Sequence, residues 1–260
     1  MNIRPRHVPH AGKKVSAILV MASLTLVSLF AATTALAQKK FSKVYIPTQK
    51  SITLTLNNWS GAITVEGWDK SQIKISADLE APTARLMPRV DDNGIEIDIV
   101  RDNQGRGDVG SVNFRISVPF DSSVDIETRY GDLTVNNVKG TTVRAHVTAE
   151  GNITLTQLRS QFVMAHNTMG DILFDGELLS EGIYSLKSSD GNINIRIPQN
   201  SAFNLIAVAP NTREITLGPF AGSGLSYIGD RRKVVGNVGT ARANLSVVNQ
   251  RGSISFIRRQ

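Results

Sequence analysis

The sequence predicts an all-β protein: a β-solenoid, or β-helix-like stack, of about 20-residue repeats preceded by an N-terminal β region. Three observations predict it. First, a short phrase recurs: glycine, a small polar residue, then an apolar–polar–apolar triplet. It reads G-A-I-T-V from Gly61, G-D-L-T-V from Gly131 and G-N-I-T-L from Gly151, then G-D-I-L-F from Gly170, G-N-I-N-I from Gly191 and G-S-I-S-F from Gly252. Second, the middle four glycines are 20, 19 and 21 residues apart. A unit this short cannot bury its own apolar face and must stack on its neighbours. Third, apolar residues alternate with period two in segment after segment, and Gly, Asn, Asp and Pro punctuate the segments as turns require.

Residues 1–37 read as an export signal. Arg4, Arg6, Lys13 and Lys14 form a basic start, Val15 to Phe30 is apolar or small, and Ala35-Leu36-Ala37 supplies a small-x-small cleavage pattern. The polar Gln38-Lys39-Lys40 that follows favours cleavage after Ala37 over retention as an anchor. With no cysteine, neither disulfides nor a cysteine-linked lipid is available, so stability must come from burial and backbone ladders.

Residues 38–120 form the N-terminal β region, a cap or the start of the solenoid. Strands are expected at Ile52–Leu56, Ile73–Ile75, Ile95–Ile99 and Phe114–Val118, with a polar loop at Arg101–Gly110. Residues 121–260 carry the repeat. Leu133/Val135 correspond to Ile153/Leu155 and Ile172/Phe174. Val138 corresponds to Leu158 and Leu178, and Val143/Ala145/Val147 to Val163/Ala165/Asn167. Three short strands or bends per coil follow, with coils spaced by roughly 4.8 Å and equivalent side chains stacked in ladders. Glycine at each corner suits positive φ. The following Asp132, Asn152, Asp171 and Asn192 are expected to bond the corner's own backbone. After Pro198 the pattern loosens. Strands are expected at Phe203–Val208 and Ile215–Leu217, a loop at Gly218–Gly239, and a return to the repeat at Asn244–Val248 and Gly252–Phe256. The charged tail from Arg258 should blunt the final edge.

G-A-I-T-V-E-G-W-D (Gly61–Asp69), the strand Gln72–Ala77, the approach strand V-P-F-D-S-S-V-D-I-E-T from Val118, the serial Gly-Asp/Asn-Ile corners and the closing S-I-S-F appear here in order. In these features the chain resembles the bacterial putative adhesin, β-strand-repeat family. Family members usually place Ser before the corner Gly-Asp; this chain has Tyr130, Glu150, Met169, Asp190 and Arg251 instead. The resemblance implies an exported protein and carries adhesion by analogy only. It supplies no catalytic residue.

Charge excludes one class of partner. The chain carries 29 basic and 22 acidic residues, net +7. Four of the basic residues lie in the signal, which leaves 25 against 22, net +3. With basic residues dense only in short loop and tail groups, no nucleic-acid footprint forms. His146 and His166 lie 20 apart and face outward, half of a metal site at most; the next coil offers Ser185 or Lys187, which do not complete it. Asp132 and Asp171 lie two coils apart and read as turn-stabilising side chains, not as a catalytic pair or a calcium cage. Arg106-Gly107-Asp108 lies in the polar loop and reads as a chance tripeptide. Trp59 and Trp68 flank the first repeat. Buried, they would plug the solenoid end; exposed, they would suit sugar rings.

The reading is therefore a non-enzymatic, exported envelope protein of the periplasm or cell surface. It has no catalytic, cofactor or metal site and no membrane span after signal cleavage. It would bind a cell-surface polymer or an envelope protein through an outward ladder, Thr134, Thr154, Leu173 and Asn194, with His146 and His166 as further surface candidates. The alternative is a carbohydrate-active β-helix enzyme, a lyase or hydrolase, which needs acidic and basic groups converging in one groove.

Overall fold

The computed structural model describes residues 1–2, 39–49, 51–240 and 242–259; apart from its first two residues, the segment 1–37 read as an export signal lies outside them. One compact unit spans Ala37–Gln260. It opens with β1 (Lys39–Tyr45), β2 (Thr53–Ser60), β3 (Ile63–Trp68), β4 (Ile73–Leu79), β5 (Arg89–Asp91), β6 (Gly94–Asp98), the single helical turn α1 (Ile99–Asp102) and β7 (Val112–Pro119). Four regular coils follow, each entered by one strand and left by another. These are β8 (Ser123–Tyr130) and β9 (Leu133–Asn136), β10 (Thr142–Glu150) and β11 (Ile153–Leu158), β12 (Phe162–Met169) and β13 (Ile172–Gly176), and β14 (Ile183–Asp190) and β15 (Ile193–Arg196). The chain ends with β16 (Phe203–Val208), β17 (Ile215–Thr216), β18 (Leu225–Ile228), β19 (Lys233–Val238), β20 (Ala243–Arg251) and β21 (Ile254–Phe256).

The architecture is the expected all-β solenoid, flattened to two sheets. A ten-stranded sheet runs β1-β4-β7-β3-β9-β11-β13-β15-β21-β17, and an eleven-stranded sheet runs β18-β19-β16-β20-β14-β12-β10-β8-β2-β6-β5. Each coil thus contributes two strands. The third apolar position of the repeat lies where the exit strand ends: Val138 is buried just beyond β9, Leu158 is the buried last residue of β11, opposite Gly176, and Leu178 is partly buried beyond β13. Between the sheets lies one continuous core. Leu133, Ile153, Ile172 and Ile193 stack in register and are fully buried, as are Val135, Leu155, Phe174 and Ile195 beside them. Strands from both sides of residue 120 share both sheets and this core.

Corner glycines have φ between +112° and +152° at Gly131, Gly151, Gly170 and Gly191. Each also packs its Cα against the carbonyl oxygen of the preceding corner glycine, a contact that leaves no room for a side chain. The carbonyls are held in turn by a buried polar ladder. Asn167 Nδ2 donates to Gly151 O (2.8 Å), and Asn249 Nδ2 donates to Gly191 O (2.8 Å) and Ser253 O (3.0 Å). Side chains buried for this purpose explain why polar residues interrupt an otherwise apolar interior.

The corner Asp and Asn side chains do not bond their own turns, contrary to the sequence reading. They bond the next coil. Asn152 N–H donates to Asp132 Oδ1 (2.8 Å), Asp171 N–H to Asn152 Oδ1 (2.9 Å), Asn192 N–H to Asp171 Oδ1 (2.7 Å) and Ser253 N–H to Asn192 Oδ1 (3.1 Å). Alternating Asp and Asn keeps like charges off adjacent rungs, and Asn152 Nδ2 adds a donor to Asp132 (3.1 Å). Asn152→Asp would place three carboxylates on successive rungs and delete that donor. Its expected cost is about 1 kcal/mol in low salt, shrinking in molar salt. Urea midpoints at the two ionic strengths check it.

The winding is not serial at either end. β2 lies between β6 and β8, and β3 between β7 and β9, so the chain starts one coil in, moves outward and then returns. The far end repeats the device. β16 and β17 are laid down beyond an empty rung, which β20 and β21 then fill by pairing on both sides. Antiparallel strands finish both ends: β1 on β4 and β5 on β6 at one, β19 and β18 beyond β16 at the other. The stretch read as a Gly-rich loop, Gly218–Gly239, therefore holds a 3₁₀ turn and two capping strands. Phe203, Phe220 and Phe256 close this end, with ring centroids 5.2–6.2 Å apart. The charged tail does not blunt the edge. Instead Arg259 Nε reaches Asp175 Oδ1 (3.1 Å).

Candidate functional site

The outer face of the ten-stranded sheet is built from the polar positions of the alternation. Thr64, Thr134, Thr154, Leu173, Asn194 and Ser255 occupy one row, each opposite the next in the parallel ladder. The structure thus brings together Thr134, Thr154, Leu173 and Asn194, all partly exposed. A second row, Glu66, Asn136, Thr156, Asp175 and Arg196, lies two residues further along each strand. Within it Thr156 Oγ1 donates to Asn136 Oδ1 (3.1 Å). Short hydroxyl and amide groups repeat here at the strand spacing, roughly 4.8 Å. Threonine side chains are stiff at χ1, so the row loses little freedom on contact. The surface is flat and polar, suited to hydrogen bonding along an extended partner.

His146 and His166 lie on the other sheet, in the outward row Glu127, His146, His166, Lys187 and Val248. Their ring centroids are 6.1 Å apart and nearly perpendicular. His146 Nδ1 bonds Glu127 Oε2 (3.1 Å), and His166 Nε2 bonds Ser185 Oγ (3.2 Å). Arg144 also pairs with Glu127 (3.4 Å) and Asp125 (3.3 Å). Among the described residues no three His, Cys, Asp or Glu side chains converge as metal ligands. Burial, reinforced by Lys187, His146 and Arg144, lowers the pKa of His166 to about 4. Unfolding restores the ordinary value near 6.5, so between about pH 6.5 and 4 the unfolded chain takes up a proton that the folded chain refuses. Stability should therefore fall as pH falls through that window. His166→Gln should flatten the dependence, measured as urea midpoints from pH 7 to pH 4.

The corner carboxylates do not converge. Asp132 and Asp171 are separated by Asn152, and each accepts the next coil's N–H. The tryptophans are not end plugs. Trp59 is 43% exposed, with the Arg129 guanidinium 4.6 Å from its ring centroid. Trp68 is half-buried, donates from Nε1 to Gln72 O (2.8 Å) and carries Lys70 Nζ 4.9 Å from its ring. Sequence reasoning counted the loop at 101–110 as merely polar. The structure shows it anchored by the buried Asp102 carboxylate, whose Oδ1 accepts from the partly exposed Arg89 Nη2 (2.6 Å), a pair that no local pattern signals because Asp102 ends α1 and Arg89 opens β5. Among the described residues no helix is long and apolar enough to cross a membrane.

None of the curated proteins matches this sequence. Solved structures similar to it include a putative cell adhesion protein from Clostridium sporogenes (14% identity, 85% of this chain and 100% of that one, TM-score 0.48). A putative adhesin from Bacteroides fragilis is 12% identical over 84% of this chain and 97% of its own, with TM-score 0.37. A putative lipid binding protein from Parabacteroides distasonis is 13% identical over 84% and 97%, with TM-score 0.35. The family described as Toastrack DUF4097 matches residues 26–209, which takes in β1 through β16 and stops short of the strand pair β20 and β21 that fills the rung inside β16 and β17. With most of its length matched and its stacked corners in place, the chain belongs to the Toastrack DUF4097 family.

Proposed function

We propose that the mature chain is an exported, non-catalytic module of the cell envelope. It binds a surface polymer or an envelope protein along the outer face of the ten-stranded sheet. The observation that carries this reading is the in-register row Thr64, Thr134, Thr154, Leu173, Asn194 and Ser255. Such a row offers a hydrogen-bonding group at every rung but that of Leu173, on a rigid, pre-ordered surface, and preorganisation lowers the cost of binding. The mild charge of the mature chain suits a neutral or mixed partner and not nucleic acid. Export rests on the basic start, apolar run and A-L-A box of residues 1–37. Cleavage of polysaccharides would require two carboxyl groups roughly 5–10 Å apart across a cleft. The corner carboxylates are instead tied into backbone bonds along the stack.

The test is retention of envelope material on immobilised mature chain. Native protein should hold a component that Thr134→Lys/Thr154→Lys releases, with retention reduced about tenfold, because long charged side chains break the flat row. Equal retention by native protein and variant, or none above the bare matrix, would overturn the assignment.

A further inference from the structure

We infer that a groove of about 390 Å³ between Trp59 and the 99–110 loop is a second binding site, which takes a neutral pyranose unit of a polysaccharide. It is separate from the Thr134–Asn194 row, on the other sheet, and stands or falls independently of it.

Three observations carry the inference. The first is Trp59 itself. A tryptophan is usually largely buried, yet this one stands 43% exposed near the end of β2, with Arg129 steadying its ring and its free surface lining the groove.

The second is the order built into the facing loop. The Asp102 side chain has no exposed surface; it accepts from Arg89 Nη2 (2.6 Å) and from Met87 N–H (3.1 Å). The Asn103 amide uses both its groups twice. Oδ1 accepts from Arg85 N–H (2.7 Å) and Arg106 Nη1 (3.0 Å), and Nδ2 donates to Arg85 O (2.9 Å) and Ile99 O (2.8 Å). Arg106 Nη1 donates also to Thr83 O (3.0 Å). An exposed loop that only connects two strands has no need of a buried, twice-bonded carboxylate and a fully bonded buried amide. A loop that must hold a surface for a ligand does, because ordering is then completed before binding.

The third is Gly107. Its backbone does not have positive φ, and a side chain there would meet nothing within 4 Å. The fold does not require glycine at this position; an open groove does.

The chemistry of the lining selects the ligand. An indole and the aliphatic Val100 give a flat apolar floor, and Gln104, Arg106 and Asp108 give donors and acceptors at the rim. A pyranose ring has the same division: an apolar C–H face and hydroxyls around its edge. One cation and one anion at the rim balance, which favours a neutral sugar over a polyanion. The volume falls within the range of small-ligand sites, about 300–1,000 Å³.

The experiment is calorimetric titration of the full mature chain with chitohexaose, cellohexaose, maltohexaose and polygalacturonate. Tryptophan fluorescence is followed in parallel, since Trp59 and Trp68 are the only two indoles. At least one neutral hexaose should saturate. Trp59→Ala and Gly107→Val should each weaken it about tenfold or more, the cost of losing an aromatic anchor or its access. Trp68→Phe should bind as the native chain does. Gly107→Val adds its side chain to open space and should keep the native melting temperature, which separates a blocked site from a damaged fold. The inference is overturned if no neutral hexaose saturates, if only polygalacturonate or envelope peptides bind, or if Gly107→Val binds undiminished. Loss of envelope retention in Thr134→Lys/Thr154→Lys with hexaose binding intact, or the reverse, shows which of the two surfaces fails.

Discussion

Removing residues 243–260 is expected to leave no folded protein, not a solenoid shortened by one frayed strand pair. β20 lies between β14 and β16, and β21 between β15 and β17. The deletion therefore opens a gap inside the stack and strands the end cap beyond it. Leu245, Val247, Ile254 and Phe256 are all buried. At about 2–3 kcal/mol each, their loss approaches 10 kcal/mol, comparable with the whole stability of an ordinary domain. The backbone bonds that β16 and β17 make to β20 and β21 go with them. Removing β1 provides the contrast. It is an edge strand, exposed along most of its length and carrying Lys39, Lys40 and Lys43. Circular dichroism and size-exclusion chromatography of the two deletions check the expectation. A monomer with native β signal after loss of residues 243–260 would contradict it.

Gly191→Val should cost about 4 kcal/mol, one of the largest effects open to a single substitution. Gly191 has φ +130°, where side chains are strained, and a Cβ there would overlap Gly170 O. That oxygen cannot yield cheaply, because the same contact recurs at the next corner, where Gly252 meets Gly191 O. The melting temperature should fall by roughly 8–16 °C for a chain of this size. Gly107→Ala is the control: an ordinary φ and open space predict a change within about 0.5 kcal/mol. Equal shifts for both substitutions would show that corner packing is not what requires glycine.

The regular part of this fold was legible because it is local and periodic. Glycine fixes the corner, alternation fixes the faces, and the 20-residue spacing of His146 and His166 correctly places them side by side. What escaped the sequence depends on partners far apart in the chain. The return of β20 and β21 to an inner rung leaves no trace in the order of residues. The capping strands within Gly218–Gly239 look like a loop because glycine hides their alternation. The Asp and Asn corners were placed correctly but given the wrong partners: a side chain that would fold back in an isolated turn meets the next coil's N–H when coils stack. The row Thr134, Thr154, Leu173 and Asn194 could be read in advance, since it is the polar half of the same alternation. The Trp59 groove could not, because its loop is ordered by Arg85, Arg89 and Thr83 from another part of the chain.

The identical joints between inner windings have a consequence for reach. Excising Gly151 through Met169 would bring Glu150 up to Gly170, so that β10 leads into β13 through a corner of the same make. β14 would then settle on β10, β13 would settle on β9, and the molecule would shorten by a single step of roughly 4.8 Å. Copying the segment would lengthen it by the same step. The span between the two closed ends is therefore a countable quantity, which a slip during gene replication can change by whole units, the excision setting Asp132 against Asp171 as its one new neighbour at the corners.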